Sequence, residues 1–480
     1  MNHSAVVDPD WTPPAITVVV PNYNYEKYLP ERLHSILNQT LKPVEIIFLD
    51  DCSPDNSLEV AEEILSAQAD KPGGIPYRII ANETNAGVYR QWVKGLQEAK
   101  TDWVWIAEAD DTCDEDFLLS LAMKIRDDVN VVYAQSRKID EHSSLIASDY
   151  LPHTNDLSKT RWLEDFTEAG PQEILQSIGF RNTIPNTSAA IMRREAALSA
   201  ADELQTFRYT GDWLLYAHML RTGGLAFVSR PLNNFRRHSA SVTMQKRQSL
   251  PYLVELARIR EFVSRNFPIL PRHVEKQDWF LNRDYKIQDV EKNSEHPEVR
   301  VLIEQANAHT EGRKRIGLIT TNNGSHNGGS EMLWQEAAVA LREKGHDVLV
   351  LIKKWEPEPA IVSELFRAGV KVLYKEENDF QEMLAAAPDM VVVSIGDQDE
   401  GIEYYPSLRA QKVPYVIVNQ LTKEESAWPI REAKQKPVME GYLGAERVFF
   451  PSRNNHRVME DRLQPRIPTA AMPFHPSHLD

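Results

Sequence analysis

Near the start of the chain, short apolar runs stopped by Pro, Asn or Asp alternate with stretches whose apolar residues recur at helical spacing. ITVVVPNYN, at residues 16–24, predicts a buried strand ended by Pro21 and Asn22. Leu29, Leu33, Ile36 and Leu37 fall on one side of a helix, and EIIFLDD reads as a second buried strand. SPDNSLEVAEEIL then opens a helix that Asp55 or Ser57 can cap. YRIIAN, a helix around Val88 to Ala99, and DWVWIAEADD continue the alternation. Strands that are apolar throughout and separated by helices predict an α/β fold with a mainly parallel sheet covered on both faces.

Between Asn130 and Ser241 the pattern is less regular: VVYAQS and SAAIMRR predict strands, and an amphipathic helix is expected from Asp212 to Thr222. A charged helical stretch from Ser249 to Phe267 follows, then PILPRH and a polar helix ending near Arg315. This stretch reads as a connector. A second α/β unit opens at RIGLITTNNGSHNGGSEMLW, with Gly345 as a helix stop and later strands VKVLY, MVVVSI, YVIVNQ and RVFFPS. The expected organisation is a flexible lead-in (1–14), an α/β domain (15–245), a helical linker (246–312) and a Rossmann-like α/β domain (313–480).

Composition narrows the classes of partner. With 42% hydrophobic and 26% charged residues the chain is globular, and its formal charge of −16 disfavours nucleic acid and broad electrostatic membrane docking. A local basic pocket for one small anion remains open. Two cysteines, Cys52 and Cys113, are too few for a disulfide framework or a cysteine-built zinc site. No run approaches the ~18 apolar residues of a membrane span, and MNHSAVVDPDW lacks the basic-then-apolar order of a secretory signal. A soluble, cytoplasmic protein is expected.

In open α/β sheets ligands sit beyond the carboxyl ends of the strands, and the polar residues there form four groups. Pro21-Asn22-Tyr23-Asn24 is, alone, no more than a turn. Asp50-Asp51 supplies either a helix cap or an acceptor for the imide N–H of a uracil ring. Glu108-Ala109-Asp110-Asp111 crowds three carboxylates that raise one another's pKa. A divalent cation shared with substrate phosphates would relieve them, and a solvated acidic loop is the plainer alternative. Thr210-Gly211-Asp212-Trp213 opens a helix that Asp212 could merely cap, and Phe235-Arg236-Arg237-His238 sets positive charge beside a histidine.

In this order, PNYN, LDDCSPDNS, Asn85-Ala86-Gly87, EADD, TGDWLLY and FRRH resemble the family 2 glycosyltransferases with the GT-A fold, over roughly residues 15 to 245. The resemblance implies that Asp51 binds the nucleobase of a nucleotide-sugar donor in a pocket lined by Pro21, Asn22 and Tyr23. It implies that Asp110 touches the ribose, that Asp111 and His238 hold Mn²⁺ or Mg²⁺, that Arg237 assists at the diphosphate, and that Asp212 is the catalytic base. The usual Glu-Asp pair before the helix is here Gly211-Asp212, and the D-x-D element begins with Glu108. A single base with no nucleophilic partner suits inversion at the anomeric carbon.

The second unit, through GGSE, ALREKGHDVLVL and VFFPS, resembles the N-terminal half of family 4 glycosyltransferases with the GT-B fold, over residues 313 to 460. Only 28 residues follow Ser452, too few for that fold's second domain. A truncated two-activity protein and a remnant used for acceptor binding or assembly both fit.

The expected function is a metal-dependent, inverting transferase that moves a sugar from a UDP-type donor to a glycan or lipid-linked acceptor in surface polysaccharide synthesis. Contact with the inner face of a membrane would come only through the acceptor. The rivals are a carbohydrate-binding scaffold without turnover and a nucleotidyltransferase. The second needs a Gly-rich loop after the first strand, where this chain has PNYNYEKY.

Overall fold

The computed structural model describes residues 11–238, 249–284, 295–322, 329–377, 379–397, 399–420 and 432–450, with positions 455, 457, 459 and 469–471. Contacts divide the chain into two units, one of Met1–Phe267 with His273–His309 and one of Pro268–Arg272 with Thr310–Asp480. No helix among the described residues is long and apolar enough to cross a membrane.

Among the described residues the first unit has ten strands: β1 (Ile16–Asn22), β2 (Glu45–Asp50), β3 (Tyr77–Ala81), β4 (Trp103–Ile106), β5 (Thr112–Cys113), β6 (Val129–Ile139), β7 (Leu145–Ala147), β8 (Phe166–Glu168), β9 (Ala190–Arg193) and β10 (Gly224–Arg236). The main order is β3-β2-β1-β4-β9-β6-β10-β5, with β7 on β6 and β8 on β10. β1 to β4 pair in parallel. Beyond them the sheet is mixed: β9 runs antiparallel to both β4 and β6, and β10 returns parallel to β6. The expectation of a mainly parallel sheet therefore holds only for its first half.

Burial explains the runs. Every residue of β1 is buried, as is every residue of β2 after Glu45, because helices cover both faces. Gly95, in the helix Val88–Glu98, marks a close approach on one face: an added Cβ would lie 2.3 Å from Val19 Cγ1. On the other face, against the helix Leu29–Leu37, Val18, Val20, Phe48 and Trp105 make a core with essentially no exposure.

Two expectations change in the tertiary structure. The stretch 246–312 is divided between the units: the helices Leu250–Asn266 and Pro297–Ala308 and most of Pro271–Asp284 belong to the first, while Pro268–Arg272 and the residues from Thr310 belong to the second. The helix Gly211–Met219 is not amphipathic either, since all its residues except Asp212 are buried.

Among the described residues the second unit carries seven parallel strands: β11 (Arg315–Thr320), β12 (Asp347–Ile352), β13 (Lys371–Tyr374), β14 (Met390–Ile395), β15 (Tyr415–Asn419), β16 (Arg447–Phe450) and β17 (Thr469–Ala471). Their order is β13-β12-β11-β14-β15-β16-β17, doubly wound about the β11/β14 switch. Most of the glycine-containing loop between Asn322 and Glu331, including Gly328, lies outside the described residues.

Candidate active site

The carboxyl ends of β1, β2 and β4 lie side by side, because these strands pair in register: Asn22 opposite Asp50, and Val19 opposite Ile106. Asp50 is the structural member of its pair. It accepts from Asn22 Nδ2 at 2.9 Å, Ser53 N at 2.8 Å and Ser53 Oγ at 2.5 Å, and so closes the turn after β2. Asp51 reaches the other way. Its Oδ1 accepts from Asn82 Nδ2 and Ala86 N, and its Oδ2 from Gly87 N, each at 2.8 Å. Gly87 has φ +92°, a conformation a side chain would strain, so glycine lets its N–H face Asp51. Asn22 is buried, and its Oδ1 has no donor among the described residues; Tyr23 beside it is exposed.

The acidic segment after β4 separates into three roles. Glu108 is half-buried, accepting from Trp92 Nε1 at 2.7 Å; burial, then the charges of Asp110 and Asp111, push its carboxyl up to about 8. Asp111 also points inward, accepting from Arg236 N at 2.9 Å and from Asn186 Nδ2. Burial first and Asp110 second push it up to about 7. Asp110 instead turns its side chain to His238, just past β10, with its Oδ2 2.9 Å from His238 Nε2. The ring of His238 packs against Tyr25 and Tyr28, with centroids 5.7 and 5.5 Å away. Tyr25 has its phenol pushed up by burial and by the Asp110, Glu108 and Asp111 charges, so it stays protonated and able to donate.

Asp110 and His238, rather than Asp111, are therefore the pair whose donor atoms fit a divalent cation. A carboxylate oxygen and an imidazole nitrogen suit Mn²⁺ or Mg²⁺ when substrate phosphates complete the coordination. Among the described residues no group of three or more His, Cys, Asp or Glu is placed to hold an ion by itself.

Arg236 and Arg237 part company through strand alternation. Arg236 is buried, stacks 4.8 Å over Tyr28, and donates to Asp110 O, Asp140 O, Ser143 Oγ and Glu31 Oε2. Arg237 turns to the opposite side, its guanidinium 4.4 Å over Phe235, away from Asp110.

Asp212 sits in the first turn of its helix and is half-buried there. Burial pushes its carboxyl up to about 6, against the backbone N–H groups of Trp213 and Asp212 and the side chain of Asn182. Asn182 Nδ2 donates to Asp212 Oδ2 at 2.9 Å, and the same loop reaches Asp111 through Asn186. Tyr89 joins the regions from the other side: it accepts from Gly211 N at 2.8 Å and meets Trp92, the partner of Glu108, edge-on at 5.0 Å. A Cβ on Gly211 would lie 2.8 Å from the Tyr89 ring, which is why the acidic residue of a Glu-Asp pair has no room here. Instead Glu255, from the helix Leu250–Asn266, brings a carboxylate to the three residues before the Asp212 helix.

Asn182, Asn186, Glu255 and the tyrosine pair carry no motif that sequence reading could single out. Only PNYNYEKY hinted at Tyr25 and Tyr28, by continuing an already marked loop.

With this geometry in view, three comparisons bear on the chain. It is 33% identical over 127 residues to glycosyltransferase GlyG of Streptococcus pneumoniae, covering 26% of this chain and 40% of that protein. It is 23% identical over 239 residues to the putative glycosyltransferase EpsH of Bacillus subtilis, covering 49% and 65% respectively. The chain thus spans less than two thirds of the length of either relative. Among solved structures, Staphylococcus aureus TarS 1–349 in complex with UDP-GlcNAc aligns with a TM-score of 0.43 at 17% identity, over 62% of this chain and 81% of that one. Residues 17–199 match the model described as glycosyl transferase family 2, and the first unit of this chain carries a domain of that family.

Proposed function

We propose that the first unit transfers a sugar from a nucleoside-diphosphate donor, of UDP type, to a hydroxyl of a glycan or lipid-linked acceptor, with inversion at the anomeric carbon. The observation that carries this reading is the single loop that touches both halves of the site, Asp212 through Asn182 and Asp111 through Asn186. The carboxylate that takes a proton and the acidic segment that meets the donor are thereby built as one unit.

The nucleotide lies along the ends of β1 and β2. Asn22 Oδ1 offers an acceptor to a base N–H, Pro21 and Tyr23 line the same edge, and Asp51 holds the Asn82–Gly87 loop that borders it. Asp110 and His238 are the residues that would hold Mn²⁺ or Mg²⁺ at the diphosphate. When bound, such an ion offsets charge developing on the leaving diphosphate. Asp212, with its proton affinity raised by burial to about 6, is ionised at neutral pH yet basic enough to accept the proton of an attacking hydroxyl. Asn182 fixes Oδ2 of this carboxylate and so orients it towards the acceptor.

The test is calorimetric titration of UDP, GDP, dTDP and CMP, each with Mn²⁺ and again with EDTA. Metal-dependent binding of one diphosphate is expected, and UDP is the one this reading names. No metal-dependent binding of any of them would overturn the reading in favour of a carbohydrate-binding scaffold.

A further inference from the structure

Phe235 at the carboxyl end of β10 and Arg237 just past it lie together, on the side away from Asp110. In the β6/β10 register Phe235 stands beside Lys138. The Lys138 ammonium lies 4.6 Å over the ring of Tyr150, itself 6.4 Å from the Phe235 ring. Two cations, each seated on an aromatic face, are thus gathered at one strand end. Both are half-buried, and the Lys138 pKa is lowered by burial first and by Arg237 second. Asp149 acts on Lys138 in the opposite sense. Among the described residues neither cation has a carboxylate within an ion-pair distance, whereas Arg236 next door has four partners. Gathering like charges with partial loss of water is unfavourable unless an anion relieves it.

The surroundings say which side of the reaction this pair serves. Tyr150 packs on His153 with centroids 4.9 Å apart, His153 Nε2 is 2.9 Å from Asn182 O, and Asn182 Nδ2 binds Asp212. The path leads to the base, while Asp110 and His238 lie on the other side of β10.

The geometry points to Lys138 and Arg237 as an oxyanion subsite that takes a phosphate group of the acceptor, so that the acceptor is a phosphorylated glycan or a phosphate-linked lipid sugar. This rests on the reading of Asp212 as the base. Tyr150 and Phe235 position the two cations and supply an apolar wall beside them.

The test uses ³¹P NMR on the full chain saturated with UDP and Mg²⁺, titrated separately with inorganic phosphate and with sn-glycerol 3-phosphate. Saturable broadening is expected for both, with the glycerol ester binding more tightly. The double variant Lys138→Met, Arg237→Met should weaken it at least tenfold while UDP affinity stays within twofold. The charge-preserving Lys138→Arg should retain it and controls for misfolding. Equal phosphate binding in the wild type and the double variant would overturn the assignment. So would a matching loss of UDP affinity, which would give the cations to the donor diphosphate, or binding of free phosphate without the ester. Should the base reading fail, Asp212→Asn would show normal transfer with the phosphate titration unchanged, which separates the two failures.

Discussion

Glu255 and Thr210 are joined twice: the Oε2 of Glu255 accepts from Thr210 N at 2.9 Å and from Thr210 Oγ1 at 3.1 Å. The same carboxylate accepts from Arg208 N at 2.7 Å and Tyr209 N at 2.9 Å. It thereby fixes the entry to the helix that carries Asp212, and places an anion where the N–H groups of that helix begin. Replacing Glu255 with Ala strands several of these donors, and leaving a buried donor unsatisfied costs about 1–3 kcal/mol. Urea denaturation of Glu255→Ala should show a loss of at least that size, and Glu255→Gln, which keeps one acceptor oxygen, a smaller one. Wild-type stability in both variants would remove Glu255 from this role.

The adjacent carboxylates Asp110 and Asp111 should respond differently to the same change. Asp111→Asn disturbs a buried acceptor of Arg236 N and Asn186, so its thermal midpoint should fall. Asp110→Asn should leave the midpoint close to wild type and abolish the effect of Mn²⁺ on nucleotide binding. Calorimetry alongside thermal melts decides this, and the opposite pattern would return the metal to Asp111.

Asp212→Asn should retain UDP binding and lose transfer by about 10²–10⁴-fold, the typical worth of a positioned general base. In the wild type, transfer should rise as pH increases through about 6, where the carboxyl loses its proton. Stability moves the opposite way. The folded-state pKa lies above the ordinary 3.8, so ionising Asp212 costs the native state, and the cost accrues between about pH 4 and 6. Asp212→Asn should therefore melt higher than wild type above pH 6, with the gap closing as pH falls towards 4.

Glu108 is held protonated at neutral pH by its burial, with its carboxyl raised from 4.5 to about 8. Glutamine reproduces that neutral form and can still accept from Trp92 Nε1. In EDTA, Glu108→Gln should match wild type near pH 4.5 and gain on it as pH rises to about 8, then hold a constant difference. A variant that loses stability at neutral pH would show that the side chain is ionised there.

Gly211→Ala tests why the acidic partner of Asp212 comes from elsewhere in the chain. The new Cβ meets the Tyr89 ring at 2.8 Å and Leu204 Cδ1 at 2.7 Å. Overpacking of this kind costs about 1–3 kcal/mol, and a denaturation midpoint unchanged from wild type would mean that the Tyr89 ring gives way.

The amino-acid sequence by itself determined the element types and the strand ends at which chemistry gathers. ITVVVPN and EIIFLD became β1 and β2 because apolar period and turn residues act within a few positions. The order PNYN, LDD, EADD, GDW and FRRH was legible for the same reason. Which side chain of each motif faces the cleft was not. Strand alternation and pairing turned Asp111 and Arg236 inward, set Asp110 against His238 across 128 positions of sequence, and sent Arg237 to the other side. Asn182, Glu255 and Lys138 entered the site through partners 30, 45 and 97 positions away. The helix Leu250–Asn266, read as linker, likewise became part of the first unit, where Glu255 binds back onto Thr210. Contacts of that reach leave no local periodicity, and only the packing of the whole sheet and its helices decides them.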